Sequence, residues 1–378
     1  MNRQCAHNFP AVAFTLGRAN WKELRETYKA LAGDHQWRVR VSLANSMHEM
    51  AAIVGSETAE EDLLPVFDQL REDVDEVRGG LLKHLADFYR SLPPASRLTM
   101  LNKLPHFLRV DRESESNWRF RLEFAKQCSV LCGLYDVDAI NKTIAGIALT
   151  LATDKVAAVR AEAALLMARI LALMAREEWP TQEANVETSA DVTPTPLTDT
   201  FVQDMVRGFA RSQRWNRRQT FLHLCEHARP LLTDHQFATL LLSHVHVLAK
   251  DTVVNVRIVA ARVLCPPPKG SVIQEARTLE VLEMLTIDGD MDVNRQARLA
   301  LGADPAKEFV DLSGRDMQIL VKENFFLRDR EDVRVDLSSS NSDMDISPPV
   351  AEQQQQNTSS DMDITPPSPN ASFLGSAA

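Results

Sequence analysis

Cys128 and Cys132 stand four residues apart, a spacing that puts two thiols on one face of a helix, where they could share a metal or form a redox pair. His244 and His246 form an H-x-H, and His48-Glu49 opens in the manner of a metalloprotease helix, with a general base beside the first ligand. None of the three completes its chemistry. Position 52 is Ala where the second histidine of H-E-x-x-H must stand, and residues two apart on a helix point to different sides. Cys128, like Cys225, falls in a slot that Met and Leu fill elsewhere in the chain, where a free cysteine behaves as a small hydrophobe. No Gly-rich phosphate loop, nucleophile elbow or close carboxylate pair is visible. The expectation is a protein that is not an enzyme and uses no metal or cofactor.

The residue types that remain suit recognition. Trp37-Arg38, Trp118-Arg119 and Trp215 recur in related settings, and Trp and Arg dominate the hot spots of protein interfaces. Each lies inside a repeated phrase: an acidic residue, a few residues, an apolar residue, then Arg. The instances are Asp34 to Arg40, Asp73 to Arg78, Glu115 to Arg121, Asp154 to Arg160, Ser212 to Arg218, Asp251 to Arg257 and Asp288 to Arg295. With Val39, Val77, Phe120, Val159, Arg217, Val256 and Val293 as equivalents, the steps are 38, 43, 39, 58, 39 and 37. A period near 39 is that of HEAT repeats, two helices per unit.

Four residues after each marker stand Leu43, Leu81, Phe124, Ala163, Phe221, Ala260 and Ala297; eight after stand Met47, Leu85, Cys128, Met167, Cys225, Leu264 and Leu301. All are apolar, so each marker opens the second helix of a repeat and this face is predicted to pack inward. The first helices precede the markers and include residues 63–70, 103–108, 144–149 and 237–248, with Pro65 and Pro105 expected to kink or start two of them. The predicted architecture is an all-α HEAT-repeat solenoid of about seven helix pairs over residues 1–302. The recurring Arg40, Arg78, Arg121, Arg160, Arg218 and Arg257 are read as a structural ladder, each meeting the acidic residue of its own or a neighbouring repeat. In repeat 5 the acidic marker is Ser212 and the apolar one Arg217, which interrupts the ladder. The tryptophans stand in the turn between the two helices, where they either plug the adjacent repeat or anchor a partner.

Charge narrows the classes of partner. The chain has formal net charge −10, but residues 177–200 and 335–378 each hold six carboxylates and no Lys or Arg, and without those twelve the remainder carries about +2. A nearly neutral body gives no electrostatic case for nucleic acid. The stretch 177–200 accounts for the long step of 58 and is read as an inserted loop. Residues 303–334 lose the period and are read as a poorly defined helical or linker segment, and 335–378, rich in Ser, Pro, Gln and Asp, are expected to form a disordered tail. The tail holds one phrase twice, SDMDISPP (342–349) and SDMDITPP (360–367), a duplication open to either slippage or bivalent docking. Ser347, Thr365 and Ser368 precede Pro and are candidate phosphorylation sites. The most apolar stretch, 161–175, is too short to cross a bilayer, no signal segment is visible, and the five scattered cysteines suit a reducing compartment. Cytosol or nucleus is expected, with no membrane contact.

The order of the phrases carries a resemblance. DVDEVR, NWRFR, DKVAAVR, WNRRQTFLHLC, DTVVNVRIVAARVL and DGDMDV, in that order, resemble the last six repeats of the protein phosphatase 2A scaffold family. NFPAVAFTLG and DHQWRVRVSLANSMHEMAAIVG bring the N-terminal part closer to the phosphatase 4 regulatory branch. The resemblance spans roughly residues 5–302. It implies a non-catalytic regulatory and scaffolding subunit that binds the catalytic subunit of a phosphatase-2A-like Ser/Thr phosphatase through inter-helix turns, with substrate proteins recruited to it. By the same resemblance Trp118 and Arg119 match a turn that grips the catalytic subunit, Val253 and Asn255 match a second contact turn, and Trp37 and Arg38 repeat the Trp-Arg pattern outside the matched block. Members of the family begin with many more repeats. The rival reading is an importin-like adaptor that cradles cargo.

Overall fold

The computed structural model describes residues 2–108, 117–178, 196–265 and 276–303. The central part of the acidic insert, Glu115, the 304–334 segment and the tail with Ser347, Thr365 and Ser368 lie outside the described residues. The described chain is an all-helical solenoid. Seven helix pairs follow one another: Trp21–Ala32 with Trp37–Val54; 56–71 with 75–90; 94–108 with Trp118–Leu131; 137–151 with Ala157–Glu178; 196–210 with Trp215–Ala228; 234–248 with Val254–Leu264; and Ala276–Thr286 with Met291–Ala300. Ahead of them Asn2–Leu16 packs on Trp37–Val54 as a second helix does on its neighbour; the repeat pattern had not marked it.

The core follows from the marker register. The markers Val39, Val77, Val159, Val256 and Val293 are fully buried, and so are the residues four and eight further on, from Leu43 and Met47 to Ala260 and Ala297. One position departs: Leu301, just past the end of the last second helix at Ala300, is 41% exposed. Successive second helices pack on one another along the array, so the apolar stripe of each is covered on both sides. Burying a Leu or Met there contributes about 2 to 3 kcal/mol. Cys128, Cys132 and Cys225 are buried in this core, and burial pushes the Cys132 thiol up to about 12 and the other two well above their ordinary value. A thiol held protonated is neither nucleophile nor ligand at neutral pH.

Local chemistry sets the helix ends. The marker aspartates brace the turn before each second helix: Asp34, Asp154, Asp251 and Asp288 accept the backbone N–H two residues on, at 2.7–2.9 Å, and Asn117 accepts that of Phe120. Gly55, with φ of 85°, turns the chain from repeat 1 into repeat 2; a Cβ there would strike the Arg18 guanidinium at 2.6 Å. The first helix of repeat 2 widens to a five-residue turn at Ala59–Leu63 just before Pro65, which loosens the backbone ladder where proline cannot donate. Pro105 starts a fresh helical turn after a break at 102–104.

The insert is shorter than 177–200. The second helix of repeat 4 runs on to Glu178, and the next helix already starts at Pro196. Glu178 accepts hydrogen bonds from the Thr198 N–H at 3.0 Å and from its hydroxyl, so an acidic residue read as loop instead caps the positive end of the following helix.

Candidate functional site

The three tryptophans occupy one structural position, the first residue of a second helix, at the mouth of the turn. Trp37 and Trp215 are 40% and 44% exposed, while Trp118 is half-buried and packs against the core. Arg38 stacks over Trp37 with its guanidinium carbon 5.3 Å from the ring centre, and Arg119 over Trp118 at 4.6 Å. Such exposed cation–π contacts are worth about 0.5 to 1 kcal/mol and hold both side chains in a preset pose at the surface.

Repeats 1 to 3 form one groove of about 770 Å³ that Trp37 and Arg119 line, while Trp118 and Arg38 are not among its lining residues. Trp37 and Val41 form one wall, Arg119 and Glu123 the other, with Asp75 and Gly79 between them. Gly79 leaves open space where a side chain would stand, whereas a Cβ on Gly80 would stand 3.0 Å from the Ala44 Cβ, so the repeat 2 helix packs close on repeat 1 there. Asn117 ties the turns of repeats 2 and 3 by donating to Asp75 at 3.3 Å. Arg38 faces a second groove, of about 480 Å³, toward Arg3 and His7, and Trp37 is the partition between the two. Val253 and Asn255 do not join either groove: they lie in the repeat 6 turn, Asn255 exposed, Val253 half-buried with its N–H given to Asp251 at 2.8 Å. Asp75, Gly79 and Asn117 were missed by the sequence reading, although Gly79-Gly80 inside a predicted helix signals a site of close approach or open space.

The arginine ladder fixes the spacing of the turns. Arg40, Arg218 and Arg257 each donate to the carboxylate of the next repeat, Asp73, Asp251 and Asp288, through two nitrogens at 2.5–2.9 Å, and Arg121 reaches Asp154 at 2.5 and 3.3 Å. Arg40, Arg218 and Arg257 also donate to the backbone carbonyl of the marker in their own turn, so each clamps two consecutive turns. Burial alone would raise the Asp73 and Asp251 carboxyls; hydrogen bonds from Arg40 and Arg218 outweigh it and hold both below the usual range. Two rungs differ. Arg78 is buried, bonds Asp75 of its own helix at 2.8 Å and lies over the Phe120 ring. Arg160 reaches only the carbonyls of Asp154 and Lys155, because Ser212 offers no carboxylate.

Among the described residues no group of three His, Cys, Asp or Glu could hold a metal. His244 sits edge-on to Phe221 and His246 bonds Thr278 at 2.9 Å, so the H-x-H diverges. Among the same residues no helix is long and apolar enough to cross a membrane.

Comparison with known chains shows what this array of turns is similar to. Residues 5–107 match the family model described as the protein phosphatase 4 regulatory subunit 1 middle domain. The resemblance is to protein phosphatase 4 regulatory subunit 1. Serine/threonine-protein phosphatase 4 regulatory subunit 1 of mouse and that of human are each 38% identical over 264 residues, 69% of this chain. The chain spans about a quarter, 26%, of the length of those relatives. The matched middle domain takes in the Trp37-Arg38 turn, which the reading of the phrases had left outside its block of scaffold-like repeats. A solved engineered protein aligns over 74% of this chain at 16% identity with a TM-score of 0.28, too loose a fit to bear on the fold.

Proposed function

We propose that this chain is a non-catalytic regulatory and scaffolding subunit of a phosphatase-2A-like Ser/Thr phosphatase, the phosphatase 4 type, and that it holds the catalytic subunit on its inter-helix turns. The observation that carries the reading is that two arginine-stacked tryptophan turns reach one open groove, through Trp37 on one side and Arg119 on the other, in a chain similar over 264 residues to relatives named as regulatory subunits. Trp118 and Arg119 are the central contact, Trp37 and Arg38 extend it, and Val253 and Asn255 touch the partner three repeats along. Metal chemistry belongs to the partner. The turns position it, modulate its activity or direct it to substrate proteins, in the cytosol, the nucleus or both.

The test is capture of the purified phosphatase 4 catalytic subunit by the full chain. Trp118→Ala and Arg119→Glu are expected to weaken capture by about 2 to 4 kcal/mol for the tryptophan, as interface hot spots do, with helix content by circular dichroism unchanged. Capture undiminished in both variants removes the assignment of this turn, and failure of the unaltered chain to bind removes the phosphatase reading.

A further inference from the structure

In a complete rung of the ladder the guanidinium divides its donors between two turns. Nη1 of Arg40, Arg218 and Arg257 goes to a carbonyl of its own turn, while Nε and Nη2 take the two carboxylate oxygens of the next turn's aspartate. Arg160 keeps only the first half. Its Nη1 donates to the Asp154 and Lys155 carbonyls at 3.0 and 2.9 Å, and its Nε and Nη2 donate to no described residue. The marker that the ladder sets against them is Ser212. It braces its turn as the aspartates do, accepting the Arg214 N–H at 3.3 Å, but a hydroxyl brings neither a charge nor a second oxygen.

The setting of Ser212 is one-sided in charge. From Met205 to Cys225 the chain carries five arginines (Arg207, Arg211, Arg214, Arg217 and Arg218) and no carboxylate. Arg218 is occupied by Asp251, and Arg207 stands 3.9 Å from Asp204. Arg211, Arg214 and Arg217 make no side-chain hydrogen bond or ion pair with a described residue. Ser212 itself is half-buried, in a surface turn where Arg211, Gln213 and Arg214 are exposed. Thr220, the other hydroxyl of the stretch, is buried and donates to the Asn216 carbonyl at 2.8 Å.

We propose that Ser212 is a phosphorylation site, and that phosphoserine there serves as the missing acidic marker of repeat 5, closing the rung between repeats 4 and 5 on the free donors of Arg160. The phosphate comes from ATP on a protein kinase that selects arginine-flanked serine. Ser212 Oγ attacks the γ-phosphorus; the new Oγ–P bond forms as the bond from that phosphorus to the β–γ bridging oxygen breaks. ADP leaves with the electron pair, and the hydroxyl proton passes to the general base of the kinase. Arg207 and Arg211 lie five and one residues before the serine and Arg214 two after it, a flank that an acid-lined kinase cleft attracts. The ester carries about −1.5 to −2 charge and several acceptor oxygens, which a guanidinium fork grips in two-point hydrogen bonds. Five other turns hold a permanent aspartate at this place; repeat 5 holds a group that can be added and removed. The rung does not rest on the phosphatase reading, since nothing in it draws on the relatives. Where that reading holds, the modification acts within the array of turns offered to the catalytic subunit.

The experiment has two arms, both on the full chain. In the first, the unmodified chain is incubated with cyclic-AMP-dependent protein kinase and Mg-ATP and its phosphates are mapped by mass spectrometry. Incorporation is expected at Ser212 and is expected to vanish from that peptide in Ser212→Ala. In the second, chain with phosphoserine encoded at position 212 is compared with unmodified chain by thermal denaturation and by hydrogen exchange. The phosphate is expected to raise the thermal midpoint by about 2 to 4 °C and to slow exchange several-fold in residues 154–160 and 212–218. Arg160→Ala is expected to cancel both gains, and Ser212→Asp, one bond shorter and less charged, to give part of them. No incorporation at Ser212, or a midpoint that phosphoserine leaves unmoved or lowers, overturns the proposal. A gain that survives Arg160→Ala also overturns it, by giving the phosphate to Arg211 or Arg214 of its own turn.

Discussion

Each complete rung of the arginine ladder joins a neutral bond to a charged one: a carbonyl within the arginine's own turn and a carboxylate from the next. The two bonds differ in what their loss exposes. Asp251 keeps only 5% of its side chain in contact with solvent, so Arg218→Ala strands a largely buried negative charge, whereas Arg160→Ala releases two carbonyls that water can reach. In urea unfolding followed by circular dichroism, Arg218→Ala is expected to lose about 2 to 3 kcal/mol and Arg160→Ala less than about 1 kcal/mol. Equal losses would mean that the carboxylate contributes nothing beyond the carbonyl. The rule was readable in part. Acid and Arg recur in the sequence, but which repeat each Arg reaches follows from the stacking distance, and that is a property of the packed array.

The second helix of repeat 2 is the element that departs most from its equivalents. It breaks between Asp75–Leu82 and Leu85–Arg90, and Gln127 of repeat 3 fills the break by donating to the Lys83 carbonyl at 2.9 Å and accepting the Ala86 N–H at 3.1 Å. His84, at the break, stacks on His48 of repeat 1 with ring centres 3.9 Å apart. Burial first, and the neighbouring His84 second, hold the His48 imidazole below its ordinary value, against the pull of Glu49 and Asp87. An unfolded chain therefore takes up a proton near pH 6.5, its ordinary value, where the folded repeat does not, and stability falls as pH drops below about 6.5. The thermal midpoint is expected to decline between pH 7.5 and pH 5.5, and His48→Gln is expected to flatten that decline; an identical slope in the variant removes His48 as its source. Nothing in the residues around 83–86 announces the break, because Gln127 is forty residues away and only the fold sets it there.

Along the whole array each second helix touches the ones before and after it, so stability is built from neighbour contacts. The 22-residue second helix of repeat 4 buries ten residues, while Met291–Ala300 buries three, and the protein is expected to open unevenly. Hydrogen exchange by mass spectrometry should find residues 157–178 slowest and 291–300 among the fastest, and Met167→Ala should speed exchange in repeats 3 to 5 before repeat 7. Uniform acceleration across all repeats would show one cooperative unit instead. The helical class, the period, the seven pairs and almost every core position were legible, since a helix face is written directly in residues spaced by four, and burial selects apolar types there regardless of context. The proximity of Trp37 to Arg119, the service of Glu178 as a cap, and the charge that Ser212 leaves uncompensated were not. Each depends on which turns lie side by side, and that is decided by how stiff helices of unequal length stack, a relation between residues 20 to 80 apart that no local pattern encodes.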